Sequence, residues 1–246
     1  MRKKNIVLLL SGGYGSRLYP LTFLLPKIFI PFKGKILLEH HINSFRDIRI
    51  DRIYVNLFKK VIYYLLAKFF KDKNKNLDFI FEKKPLGTIL PIANILQKKK
   101  FDNLVILYSD TFFLKEQPLI INKLLKASNN KFISISVSKS YNKKYLLSKG
   151  IVKFKNGNLL SFIEKPKNIK SFNNYFFSGI IVIPSIIKKQ VLKILSDARN
   201  IEKNYGFAEK VFFSNKIKTK VCISKKIPLD FGNWKNLIKN YFTSND

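Results

Sequence analysis

Gly12, Gly13 and Gly15 precede Arg17 near the start of the chain, and Lys27 follows between Pro26 and Ile28. Glycines leave the backbone bare, so its amides can approach an anion closely and adopt left-handed conformations where needed. An arginine at the end of such a loop can clamp two phosphate oxygens at once. A lysine beside a proline has a restricted direction and could aim its amine at the same anion. Two carboxylates stand out further on. Asp110 ends the apolar stretch LVILYSD, and Asp230 lies 120 residues later, two before Gly232. Glu164 and Lys165 form a third polar group ahead of Pro166. Nothing resembles a nucleophile–base pair. The chain has one cysteine and two histidines, and the adjacent His40 and His41 would face apart on a helix in packing or solvent roles.

On residue types alone, each group has a plainer reading. The glycine loop equally suits a tight strand-to-helix turn with solvated charges. It is not a Walker A loop, which needs Gly-Lys-Ser/Thr after four intervening residues, nor GxGxxG, because Leu18 stands where the third glycine belongs. Either aspartate alone equally suits a turn or helix cap, and Glu164–Lys165 an exposed turn.

The elements that would position these residues follow from hydrophobic periodicity. Ile6 to Leu10 is a short buried strand running into the glycine loop. Ile36 to Ile48 carries apolar residues at helical spacing, and RIYVNL reads as a second strand. Val61 to Phe70 is a helix, NLDFIFE a strand, PLGT a turn, and ILPIANILQ a helix with Pro91 in its first turn. LVILYSD reads as a central parallel strand covered on both faces. This alternation predicts a doubly wound, mostly parallel Rossmann-like sheet with right-handed crossovers, and a binding crevice at the C-terminal strand ends. The rhythm then changes. FISISVS, GIVKFKNG, NLLSFIEKP and FFSGIIVIP predict short, more antiparallel strands, with KNGN as a hairpin turn. A helix at Ser185 to Ala198, the strand KVCIS and the helix NWKNLIKNYF close the chain. No Pro-rich linker or repeat divides it. A single domain over residues 1–246 is expected, with a nucleotide-binding half (1–115) and a second half (116–246) that holds a smaller antiparallel lobe.

Composition narrows the class. The 246 residues are 46% hydrophobic with 23 Phe and 11 Tyr, enough for a substantial core. A single cysteine excludes an intramolecular disulfide and fits a reducing cytoplasm. The basic start resembles a signal peptide, but its apolar run is too short and the glycine loop follows it. No run of 18 apolar residues predicts a membrane span. The formal charge is +32, from 47 basic and 15 acidic residues. Only six of the basic residues are arginine, and the lysines spread along the whole chain. Specific nucleic-acid readers favour clustered arginines, so the charge reads as compositional drift in an AT-rich genome, with a polyanion-binding surface as the alternative. Either way, such a field attracts phosphates.

The complete string SGGYGSRLYPLT, then PK, then PFKGKILLEHHI, resembles the signature of the sugar-1-phosphate nucleotidyltransferases. The resemblance continues in order through EKKPLGT, YSDTFF, GIVKF with SFIEKP, SGII, FAEKV and LDFGNWKNL, covering roughly residues 5 to 240. Among the branches, the heptose- and mannose-1-phosphate guanylyltransferases look most similar. The resemblance implies attack of a sugar 1-phosphate on the α-phosphorus of a nucleoside triphosphate, giving a nucleotide-sugar and pyrophosphate, with Mg²⁺ as cofactor. It implies Asp110 and Asp230 as metal ligands, Arg17 against the leaving pyrophosphate and Lys27 at the α-phosphate. Leu10, Gly12, Gly13, Gly15, Ser16, Leu86, Gly87 and Thr88 would surround the nucleotide. Glu164 would take sugar hydroxyls, Lys165 the sugar phosphate, and Gly179 would let the sugar approach. A homodimer is compatible with it.

Several positions depart from the pattern. Ser11, Ser109, Ile89, Leu90, Asn233, Trp234 and Val211 replace residues usual in the family. Ile89 and Leu90 are expected to crowd the base or sugar pocket. The base therefore stays open among guanylyl, uridylyl, thymidylyl and cytidylyl transfer. A non-catalytic nucleotide-sugar-binding homologue is the reading from a different class.

Overall fold

In the first strand, β1 (Asn5–Ser11), every residue from Ile6 to Ser11 is buried, because the strand has a parallel neighbour on each side. Those neighbours are β4 (Arg52–Phe58) and β6 (Asn103–Tyr108), separated in sequence by two two-residue strands, β2 (Pro31–Phe32) and β3 (Lys35–Ile36), and by β5 (Leu77–Glu82), which pairs parallel with β4. A computed structural model describes residues 3–58, 61–83, 87–168, 174–201 and 217–243. Its remaining strands are β7 (Thr111–Phe112), β8 (Ile133–Lys139), β9 (Gly150–Lys155), β10 (Asn158–Glu164), β11 (Tyr175–Pro184), β12 (Thr219–Ser224) and β13 (Leu229–Asp230).

The main sheet has nine strands in the order β5-β4-β1-β6-β11-β8-β12-β10-β9. The first four are mutually parallel, β11 is antiparallel to β6 and β8, and β8 and β12 are parallel again. The second half is thus mixed, with antiparallel pairings made by β11, by the β9–β10 hairpin and between β10 and β12. That hairpin turns on Asn156 and Gly157, both left-handed at φ 50° and 68°, the conformation a two-residue turn between twisted strands requires.

Alternation along β1 sorts the core into two layers. Ile6, Leu8 and Leu10 face α4 (Ile89–Lys98) and α7 (Lys188–Ile201), while Val7 and Leu9 face α2 (Leu37–Ser44), α3 (Val61–Lys73) and α5 (Gln117–Ser128). The other described helices are α1 (Leu21–Leu24), α6 (Lys143–Leu147) and α8 (Trp234–Thr243). No expectation covered α5. Its sequence signal is Pro118 in the first turn followed by buried Ile120, Ile121 and Leu124 at helical spacing. No described helix is long and apolar enough to cross a membrane.

A third core cluster joins the start of the chain to its end. Leu18, Ile30, Phe32, Phe112, Phe231 and Leu237 pack together, with the Phe32 and Phe231 rings 4.9 Å apart. Asn233 caps α8 through Asn236 N–H (2.9 Å), and the Trp234 indole N–H donates to the Tyr19 carbonyl (2.9 Å). Both departures from the family pattern therefore serve local structure.

His41 is fully buried beneath the end of β6. Its Nε2 meets the Ser109 carbonyl at 3.2 Å, its Nδ1 meets Gln117 at 3.1 Å, and Gln117 donates to Ser44 Oγ (2.7 Å). Burial lowers its pKa to about 4, against weaker support from the Ser109 carbonyl. The unfolded chain takes up this proton below pH 6.5 and the folded chain only near 4, so its stabilising contribution is present above 6.5 and is lost as pH falls through that window. In His41→Leu, urea unfolding at pH 7.5 should show a loss of about 2 kcal/mol from the unpaired Ser109 and Gln117 groups. The wild-type minus variant difference should shrink between pH 6.5 and 4. An unchanged difference across that range contradicts the buried neutral imidazole.

Candidate active site

Two chambers open at the C-terminal ends of the parallel strands and meet at Arg17, Tyr108 and Asp110. The first, about 260 Å³, is lined by Leu10 to Gly13, by Lys27 and Asn56 and by Gly87 and Thr88. The second, about 210 Å³, is lined by Lys149, Gly150, Glu164, Lys165, Gly179 and Asp230.

β1 ends where Ser11 N–H donates to Asn56 Oδ1 (2.8 Å) at the end of β4. A Cβ on Gly12 would come within 2.3 Å of Asn56 Nδ2 and 2.6 Å of Glu82 Oε2, so only glycine fits there without shifting both side chains. Nothing lies within 4 Å of the corresponding point at Gly13, which faces open space. Gly15 serves the turn itself. It is left-handed at φ 67°, sits on Thr22, and its carbonyl accepts from Thr22 Oγ1 (2.7 Å). Gly15 and Ser16 line neither chamber. Leu86, and the FAEKV segment with Val211, lie outside the described residues.

Asp110 and Asp230 are brought together by the two-residue pairing of β7 with β13, in which Asp230 is the partner of Thr111, and by Phe231 N–H donating to the Asp110 carbonyl (2.8 Å). Asp230 Oδ1 accepts from Gly232 N–H (2.7 Å). A Cβ on Gly232 would lie 2.8 Å from Asp230 Oδ1, 3.4 Å from Arg17 Nη2 and 3.5 Å from Asp110 Oδ2, so the glycine makes room for all three to converge. Each carboxylate has its own lysine. Lys27 Nζ lies 2.8 Å from Asp110 Oδ2, and Lys149 Nζ 2.5 Å from Asp230 Oδ2. Burial alone would raise the Asp110 pKa, but the charge and hydrogen bond of Lys27, with Lys149 and Arg17, hold it below the usual carboxylate value. Burial opposes the charge on Lys149, but Asp230, then Tyr145 and Asp110, outweigh it and raise its pKa. Among the described residues no group of three or more His, Cys, Asp or Glu forms a metal cluster. The two converging carboxylates would suit Mg²⁺, a hard cation that takes one or two carboxylates together with water and phosphate oxygens, once the lysines give way.

In the second chamber, Gly150 lies under Glu164 and Phe162. A Cβ there would meet the Phe162 ring at 2.4 Å and Glu164 Oε2 at 2.8 Å. Lys165 is left-handed at φ 43°, a strained conformation for a lysine, and its N–H donates to the Lys149 carbonyl (3.0 Å). Gly179 is left-handed at φ 95° and packs on Thr111, so its glycine is required by the backbone as well as by the cavity wall.

The expected crowding by Ile89 and Leu90 does not occur. Ile89 opens α4 with its side chain buried in the core against the sheet, in line with Ile92 and Leu96, and neither residue lines a chamber. Ser109 does line the first chamber, with its N–H bonded to the Leu10 carbonyl (3.1 Å). Asn56, Lys149 and Tyr145 line the chambers without having been anticipated in the sequence, and Glu82, read only as part of EKKPLGT, lies beside Gly12 and lines neither chamber. Asn56 had a signal, a lone amide inside the apolar strand RIYVNLF. Lys149 had none among so many lysines.

Glu82 is 6% exposed beside the Asn56 amide, and among the described residues neither its carboxylate oxygens nor Ser11 Oγ makes a well-formed hydrogen bond. Burial raises the Glu82 pKa to about 7, and the Asn56 amide offsets this only in part.

A Rossmann-like α/β sheet with a glycine loop, paired aspartates and basic side chains at its strand ends defines a nucleotide-binding fold of the transferase type. Residues 6–243 match the nucleotidyl transferase family, and the chain belongs to it. It is 30% identical over 225 residues to the bifunctional protein GlmU of Buchnera aphidicola, covering 87% of this chain and 46% of that one. It is 26% identical to the mannose-1-phosphate guanyltransferase of Saccharomyces cerevisiae, covering 79% and 57%. The chain thus spans about half the length of these curated relatives. In structure it resembles the inositol-1-phosphate CTP transferase from T. maritima, with a TM-score of 0.74, 19% identity and coverage of 96% and 92%.

The raised pKa of Glu82 makes a prediction about stability. Its protonated form suits the folded state, so its contribution is full below pH 4.5 and is lost as pH rises through 7. Glu82→Gln should match wild type near pH 4.5 and exceed it by up to about 3 kcal/mol at pH 8 in urea unfolding. A variant weaker than wild type at pH 8 contradicts an uncompensated buried carboxylate.

Proposed function

We propose that the chain transfers a nucleotidyl group, most suitably guanylyl, from a nucleoside triphosphate to a sugar 1-phosphate and releases pyrophosphate. The observation that carries this reading is the junction of the two chambers. Arg17, Lys27, Asp110 and Asp230 meet there, between a glycine-lined space on one side and the Lys149–Glu164–Lys165 space on the other. A displacement at phosphorus needs two anions held in line and charge stabilised as it shifts, and no side-chain nucleophile. The first half of the chain takes the nucleotide and the second half the sugar phosphate.

Each group then has a task. The bare amides of Gly12 and Gly13 and the Arg17 guanidinium orient the triphosphate and neutralise the departing pyrophosphate. Lys27 leaves Asp110 to take an oxygen of the α-phosphate. Asp110 and Asp230 hold Mg²⁺, which when bound draws charge from the phosphate oxygens. Glu164 accepts hydrogen bonds from sugar hydroxyls, and Lys165 pairs with the sugar's phosphate. The reaction belongs in the cytoplasm, where nucleoside triphosphates are available.

The choice of guanine rests on Glu82. A carboxylate offers two parallel acceptors, and guanine presents two adjacent donors, N1–H and the 2-amino group. Uracil, thymine, cytosine and adenine each present a single donor flanked by an acceptor. Glu82, whose Oε2 sits beside Gly12, would match that guanine edge.

Pyrophosphate release should be measured with Mg²⁺, the five common nucleoside triphosphates and a panel of sugar 1-phosphates that includes mannose and a heptose. GTP should be used with one of the sugars. Release only with UTP or dTTP overturns the guanine assignment, and silence throughout overturns catalysis. Asp110→Asn and Asp230→Asn should each lower kcat by about 100-fold or more. Glu82→Gln should cut the preference for GTP over the other triphosphates by about tenfold or more. An unchanged preference excludes Glu82 from base reading.

A further inference from the structure

We propose that Lys149 is an exchangeable counter-ion, which holds Asp230 in the free protein and passes to the phosphate of the incoming sugar phosphate when the aspartate pair takes a divalent cation. This inference rests on the proposed metal role of Asp110 and Asp230 and names a binding residue for the second chamber.

The arrangement of charge carries it. Lys149 Nζ is 2.5 Å from Asp230 Oδ2, and Lys27 Nζ is 2.8 Å from Asp110 Oδ2, so in the free protein both acidic groups are already neutralised. A divalent cation seated between the aspartates must displace an ammonium from one or both. The released ammonium cannot go far. Lys149 is about three-quarters enclosed (24% exposed), stacks its amine 5.0 Å above the Tyr145 ring, and its carbonyl is bonded to Lys165 N–H. Its amine therefore stays in the chamber that also holds Lys165 and Glu164. A phosphate monoester carries nearly two negative charges there and meets both lysines at once.

The exchange has a thermodynamic consequence. A cation that frees Lys149 improves the site for phosphate, and by reciprocity phosphate, by drawing Lys149 away, improves the site for the cation. Lys149 thereby couples the two ligands, and in the absence of phosphate it lowers metal affinity. An unpaired cation would also be avoided in the empty site, since each lysine keeps a partner in either state.

Calorimetric titration of Mn²⁺ into the free protein tests this, with and without saturating inorganic phosphate or mannose 1-phosphate. In Lys149→Met, Mn²⁺ alone should bind at least tenfold more tightly than in wild type. Phosphate should bind at least tenfold more weakly, and the enhancement of one ligand by the other should fall below twofold. Lys149→Arg should retain the coupling. Lys149→Gln is measured alongside, so that poor folding of the methionine variant leaves the same comparison in place. Mn²⁺ affinity that is abolished by Asp110→Asn but unchanged by Lys149→Met and Lys149→Gln overturns the inference and leaves the aspartate pair intact. Absence of Mn²⁺ binding in every variant overturns both. Intact coupling to inorganic phosphate, with no turnover on any sugar phosphate, supports the role of Lys149 and overturns the proposed reaction instead.

Discussion

Two carboxylates held side by side repel each other, and the architecture at the strand ends is built around that constraint. Asp110 and Asp230 approach because β7 and β13 pair and Phe231 N–H is bonded to the Asp110 carbonyl. The repulsion is offset by Lys27 and Lys149, one on each carboxylate, with Arg17 close to both. Behind the backbone contact, the Phe32, Phe112 and Phe231 side chains pack as one cluster, so apolar burial holds in place what electrostatics alone would push apart. The same cluster anchors Leu18 and Leu237, which links the first loop and the last helix to the aspartates.

A second feature is how few atoms stand between the sheet and the first chamber. Gly12 leaves space that Asn56 and Glu82 fill from the neighbouring strands, and Gly232 leaves space where three charged groups meet. Beneath them, His41, Gln117 and Ser44 satisfy one another and the Ser109 carbonyl, so the chain enters Asp110 from a fixed direction. Glu82 is the exception. Its open, buried carboxylate destabilises the free protein at neutral pH, the pattern expected where binding sites keep polar groups ready for a ligand. Glu82 and His41 also act in opposite directions on stability across nearly the same pH range, so the wild-type curve should be flatter than either contribution alone.

Much of the first half was legible from period and punctuation. The all-apolar strands β1 and β6 and the helical spacing of α3 and α4 were read within a few residues, because burial on both faces leaves a continuous apolar run and one-sided burial leaves a 3.6-residue repeat. α5 went unassigned because it is amphipathic across a stretch rich in Lys and Asn, which reads as loop. The mixed sense of the second half was also hidden, since a strand's own sequence does not record the direction of its neighbours. Ile89 and Leu90 misled for the same reason: their bulk was visible, but not that Ile89 faces the sheet.

By itself, the sequence determined the kind of chain this is: an α/β protein with a glycine loop at a strand end, an aspartate just past a central apolar strand, and a signature shared with a family. Those properties are local, set by side-chain type and spacing within a few residues. The tertiary structure alone decided which polar groups meet. It put Asp230 beside Asp110 across 120 residues, chose Lys149 and Lys27 from the many lysines as their partners, and left Glu82 buried without one among the described residues. Such pairings depend on strand order and register, and a long-range contact of this kind leaves no periodic trace in the residues that make it.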